Sequence, residues 1–195
     1  MRRLLVASSL IGLAVSAAGC VTLMPVSSHV ERGLDFGRYR TYDWTPADAL
    51  PLTDERLRDN PFFVDDVHGA IDTELNRRGL VRATAERADL FVHYHAAVNK
   101  RLEVATRPGG FRDCVGDECR PEVATYEAGT LVIDLVDAST HRLVWRGWAE
   151  HRLEDMLDDT LEVKRRVDTA VRRIFATLPL TVTATSRRAA LENVR

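Results

Sequence analysis

Apolar and polar positions alternate along residues 89–98. Leu90, Val92, Tyr94, Ala96 and Val98 fall on one face of a strand, and Phe91, His93, His95 and Ala97 on the other. Residues 129–136 and 142–150 alternate in the same way around the turn sequence Asp137-Ala138-Ser139-Thr140-His141. In this predicted hairpin Leu131, Ile133 and Leu135 meet Leu143, Trp145, Gly147 and Ala149 on the core side. The opposite side is mixed: Thr130, Val132, Asp134 and Val136 with Arg142, Val144, Arg146 and Trp148, the pattern of a half-solvated antiparallel sheet. Residues 39–44, rich in aromatic and β-branched side chains, make a fourth strand.

Two segments change from a period of two to a period near 3.6. Phe63, Val67, Ile71 and Leu75 recur every four residues, behind Asn60 as N-cap and Pro61 as first helical residue. Asp65 and Asp66 near the start and Arg77 and Arg78 near the end suit the helix dipole. Gly79 stands where a left-handed residue closes a helix, and Leu80 is placed to touch Leu75. The second helix begins at Asp159, with Glu162 three residues on as a capping-box partner. It buries Val163, Val167, Ala170, Val171, Ile174, Phe175 and Leu178, carries the pairs Glu162–Arg166 and Asp168–Arg172, and stops before Pro179.

The order strand, helix, strand, strand, strand, helix predicts an α+β fold. It is a two-layer sandwich of about four mostly antiparallel strands with two amphipathic helices on one face. Residues 35–179 form this single domain. Residues 20–34 read as a tether, 45–58 and 106–124 as loops, and 180–195 as a loosely held tail.

The first residues are of a different kind. Arg2 and Arg3 precede an apolar run from Leu4 to Val15, too short to span a bilayer, and then small residues up to Cys20. Residues 1–19 therefore read as a secretory signal peptide. Ala17-Ala18-Gly19-Cys20 resembles a bacterial lipobox, with Ala17 where leucine is more usual. That resemblance implies cleavage before Cys20, acyl chains (palmitate among them) on it and permanent membrane attachment, since two chains already anchor a protein stably. Val21 in place of aspartate implies sorting to the outer membrane, facing the periplasm.

Charge and cysteine content narrow the class. Without residues 1–19 the chain keeps 176 residues and a net charge of about −4, with both signs interspersed and no basic stripe, which excludes nucleic acid as a partner. With Cys20 acylated, Cys114 and Cys119 remain. An oxidising compartment favours a disulfide between them; half of a metal site is the other reading.

Several stretches together resemble a bacterial lipoprotein family known as domain of unknown function 4136. They are Asp35-Phe36, the run Tyr39 to Trp44, Ile71-Asp72, Glu74-Leu75, Arg78-Gly79, Ala88-Asp89-Leu90, the run Gly129 to Asp137, the run Leu143 to Ala149, and Leu178-Pro179. The resemblance covers about residues 26–180 and implies a lipid-anchored α+β domain with no established catalytic residues. The loop holding Cys114 and Cys119 looks like an insertion.

The residues that bear chemistry form small groups. His93 and His95 share one strand face, and Asp134 on a neighbouring strand offers a third metal ligand; a pair of surface histidines is the simpler reading. Asp134 otherwise pairs with Arg146, a diagonal neighbour across the hairpin. Trp148 with Arg142 and Arg146 has the composition of a partner-binding surface. No nucleophile elbow and no phosphate-cradling glycine loop is present. The expected function is a lipid-anchored, non-catalytic envelope module without a cofactor, which binds or supports an envelope protein. A metal or small-molecule site at His93, His95 and Asp134, or a purely structural lipoprotein, are the alternatives.

Overall fold

The computed structural model describes residues 24–45, 54–105, 122–153 and 156–180. Residues 1–19, Cys20, Cys114 and Cys119 lie outside them. The elements are β1 (Val26–Val30), β2 (Thr41–Trp44), α1 (Glu55–Arg58), α2 (Phe63–Arg77), β3 (Val81–Arg82), β4 (Leu90–Ala105), β5 (Glu122–Asp137), β6 (Leu143–Leu153) and α3 (Thr160–Phe175). The strands form one sheet in the order β1-β6-β5-β4-β2-β3. β4, β5, β6 and β1 pair antiparallel, whereas β2 lies parallel to both β4 and β3.

The two-layer α+β sandwich stands, with six strands instead of about four. One addition is β1, inside the stretch read as tether. Val26 and Val30 pack on the core while Ser27 and His29 face out, an alternation too short and polar to signal a strand by itself. The other is β3, two residues long. β4 and β5 run further than the alternation suggested, so the loop between them is shorter than residues 106–124. Leu180 is buried against the core, so the tail begins after it.

α2 and α3 lie on one face of the sheet. Phe63, Val67, Ile71 and Leu75 from α2 and Val167, Val171, Ile174 and Phe175 from α3 share one core with Tyr42, Leu90, Val92, Ile133, Leu135 and Trp145. α2 starts two residues later than expected, because Asn60 uses its Oδ1 to accept the Phe62 amide (3.0 Å) and caps a turn that leads into the helix. Its end follows the glycine signal. Gly79 has φ +91°, the Leu80 amide donates to the Leu75 carbonyl (3.1 Å) and the Gly79 amide to that of Asn76 (3.0 Å), the paired bonds of a Schellman end. Asp159 caps α3 by accepting from the amides of Leu161 and Glu162. Glu162 pairs with Arg165 and Arg166, and Asp168 with Lys164 in place of Arg172.

The hairpin differs from its alternation at one point. Val136 faces Leu143 and Leu135 faces Trp145, so Val144 is an extra residue, a β-bulge. Val144 is buried in the core and Leu143 is exposed, the reverse of the strict pattern. Gly147 permits a close approach in the core. A Cβ there would stand 2.5 Å from the Trp145 ring and 2.6 Å from Ile174 Cγ2.

Candidate functional site: the open face of the sheet

The register carries the chemical residues onto the sheet face opposite the helices. Reading across one row, His93 faces Asp134, Asp134 faces Arg146, and Arg146 faces His29. The next row sets His95, Val132, Trp148 and Ser27 side by side. A third sets Phe91, Val136 and Leu143 together, with His141 stacked on Phe91 at 6.4 Å between ring centroids. Among the described residues no helix packs on this face; the buried residues of α1, α2 and α3 belong to the core on the other side.

Asp134 is the centre of the face. It is 5% exposed. Arg146 Nε and Nη2 donate to its two oxygens, each at 2.6 Å, in a planar fork. The two are direct rather than diagonal neighbours. The bond to Asp134 raises the Arg146 pKa further, so the guanidinium is a fixed cation whose outer edge reaches solvent. His93 Nε2 lies 2.8 Å from Thr45 Oγ1. Burial pushes the His93 pKa down, against Asp134, which raises it, and with His95, which adds to the fall. Trp148 is 36% exposed beside this row.

His93, His95 and Asp134 are thus brought close, but both carboxylate oxygens are bonded to Arg146, and His93 to Thr45. Among the described residues no group of three or more His, Cys, Asp or Glu is placed to hold a metal. Trp148 and Arg146 share the face. Arg142 precedes β6 and its bulge, and pairs with Glu31.

Two features escape sequence reasoning. The first is an aromatic cluster under α2. Trp44 stacks on His68 (3.8 Å, 16°), and Tyr94 meets both edge-on. Asp72 Oδ1 accepts from Tyr42 Oη (2.9 Å) and Trp44 Nε1 (3.1 Å), and burial lowers the His68 pKa. The spacing of His68 and Asp72 on one helix face is the only trace of it in the sequence, and it ties β2 and β4 to α2. The second is a cavity of about 90 Å³ between the sheet, α1 and α3. Met24, Leu57, Ala96, Val98, Leu131 and Val163 are among its mostly apolar walls. Long-range contacts alone create it.

Fold and face together define a two-layer α+β module with one sheet face left open. The chain belongs to the family described as "Domain of unknown function (DUF4136)", which matches residues 26–180. The match begins where β1 begins. No curated protein matches the sequence. Among solved structures, a PDZ domain protein from Parabacteroides distasonis is similar over 82% of this chain, with TM-score 0.52 and 18% identity. The chain spans only 36% of that protein, so the likeness concerns the fold. Weaker likenesses link it to a PelC dodecamer from Paraburkholderia phytofirmans (TM-score 0.47, 13% identity, 83% of this chain and 100% of that one) and a DUF4136 family protein from Bacteroides thetaiotaomicron (TM-score 0.46, 12% identity, 77% and 95%).

Proposed function

We propose that this protein is a lipid-anchored module of the bacterial envelope. It is held on the outer membrane through Cys20, faces the periplasm, and offers the open face of its sheet to another envelope protein without catalysing a reaction. The observation that carries the reading is the pairing of an exposed Trp148 with Arg146 pinned by Asp134, on a face no described helix covers. Tryptophan and arginine supply a disproportionate share of binding energy in protein interfaces, most of all when held rigid. The engaged carboxylate of Asp134 supports a binding role over a metal-dependent one. The anchor rests on the lipobox-like run before Cys20.

A photoreactive residue in place of Leu143, on the open face, tests the reading in cells. One in place of Arg165, exposed on α3, is the control. Position 143 is expected to capture one specific envelope protein and position 165 none, with capture lost in Trp148→Ala. Capture that is equal from both faces, or absent from position 143, would sink the binding role. Cys20→Ser is expected to leave the protein unacylated and free of the membrane; a variant still processed and membrane-bound would refute the anchor.

A further inference from the structure

β4 and β5 continue past the rest of the sheet. The last residue of β6, Leu153, pairs with Glu127, and β2 ends opposite Val92. Beyond Lys100 and Glu127, β4 and β5 therefore form a two-stranded arm, paired out to Ala105 and Glu122. Its two faces differ sharply. On one, Arg101 donates to Glu150 (2.6 Å), and Arg152 donates to Glu103 (2.7 Å) while lying over the Tyr126 ring (4.2 Å). On the other stand Leu102, 72% exposed, and the facing pair Val104 and Val123, each 55% exposed. The row Lys100 and Glu127, with Arg56 bound to Glu127, separates this patch from Ala96, Val98 and Leu131 in the cavity wall, and no described helix extends over it.

The arm points the same way as the chain traced back through β1 to Pro25 and Met24. Val26 is level with Ala149, Leu131 and Ala96 across the ladder, and β1 enters the sheet from the arm's end. From Ala96 the arm advances eight residues to Val104, about 27 Å at strand spacing. From Val26 back to Cys20 are six residues, which span at most about 21 Å even fully extended. The tip of the arm at Val104 and Val123 therefore reaches beyond the longest leash and Leu102 about as far, so all three are within reach of a lipid surface that holds Cys20.

We infer that the β4–β5 arm is a second membrane contact, resting its Leu102–Val104–Val123 face in the lipid interface and fixing the orientation of the tethered domain. This rests on the lipid anchor proposed above. Three side chains are too few to hold a free protein on a bilayer. A tethered protein has already met the entropic cost of reaching it, so a weak second contact suffices.

The test uses the full-length protein, purified with its native lipid and reconstituted in vesicles of phosphatidylethanolamine and phosphatidylglycerol. A photoreactive residue replaces Leu102 or, as control at the opposite end of the sheet, Leu143. Labelled palmitate on Cys20 is scored in the same preparation. Phospholipid adducts from position 102 and their absence from position 143 are expected, with loss of the position 102 adduct when Val104→Asp and Val123→Asp are added. An acylated protein whose position 102 reacts only with water or protein would overturn the membrane contact and leave the anchor standing. An unacylated Cys20 would remove both.

Discussion

Asp137 shows how much of the structure hangs on single side chains. It is buried at the end of β5, where it accepts from the amides of Ser139 and Thr140, Ser139 Oγ, Tyr39 Oη (2.9 Å) and the Arg38 guanidinium. Burial alone would push its pKa up. The donors from Ser139, Thr140 and Tyr39 outweigh burial and hold it well below the usual carboxylate range, while burial pushes the Tyr39 hydroxyl up to about 12. A carboxylate with a depressed folded pKa stabilises the native state fully above its unfolded value, near 4, and loses that contribution as pH falls through the folded one. Asp137→Asn is therefore expected to cost about 2–3 kcal/mol at pH 7. Urea midpoints taken from pH 7 to pH 2 should show the gap to wild type closing only below pH 4, and a constant gap would refute the assignment. Gly147→Ala tests the core in the same way: its methyl collides with the Trp145 ring and Ile174, and overpacking of this kind costs about 1–3 kcal/mol. A melting temperature equal to wild type would mean that the ring yields freely. Neither role was legible in the sequence. Asp137 read as part of a turn and Gly147 as one member of an alternating set, because the partners that define them lie far away along the chain.

At the scale of elements, what local chemistry encodes was legible. The helix end at Gly79 and the cap at Asp159 depend on residues within one turn, and the alternation of β4 and β5 needs only its own period. What requires a partner strand was not legible. β1 is a strand because β6 offers it an edge, and the bulge at Val144 moves Leu143 and Val144 to faces that strict alternation denies them. The same bulge follows Arg142, so a strict period of two does not assign a face to that member of the predicted binding trio. One contact joins the two helices at their ends. Arg78 donates to Glu74 Oε2 (2.6 Å) at the end of α2 and to the Phe175 carbonyl (2.6 Å) at the end of α3, and lies over the Phe175 ring. Glu74 is 6% exposed and would keep only the surface partner Arg77 without it. Arg78→Met is expected to cost about 2–4 kcal/mol, because it strands a buried carboxylate as well as a carbonyl. Hydrogen exchange should rise at the C-terminal turns of α2 and α3 together; a rise confined to α2 would show that the link to α3 carries no weight.

For the whole molecule the consequential difference is where the domain begins. A boundary at residue 35 treats the preceding residues as a passive leash, whereas the sheet places Val26–Val30 on the edge of β6 and Met24 in the core. Removing residues 24–34 would take away one buried methionine and three half-buried side chains, Val26, Val30 and Leu34, about 4–8 kcal/mol at the usual 1.5–3 kcal/mol for a fully buried side chain of that size. Domains of this size have net stabilities of only about 5–15 kcal/mol, so the loss is a large part of the total. It would also bare the row of backbone groups on β6 that β1 now satisfies, an open edge beside an exposed Trp148. Two soluble chains separate the boundaries, one of residues 24–195 and one of residues 35–195. The first is expected to be stably folded and the second to melt at a far lower temperature or to self-associate on size-exclusion chromatography. Equal melting temperatures and elution volumes would restore the tether. They would also free residues 24–34 to act as leash, so the boundary of the domain and the reach argument behind the membrane contact proposed for the β4–β5 arm rest on the same five-residue strand.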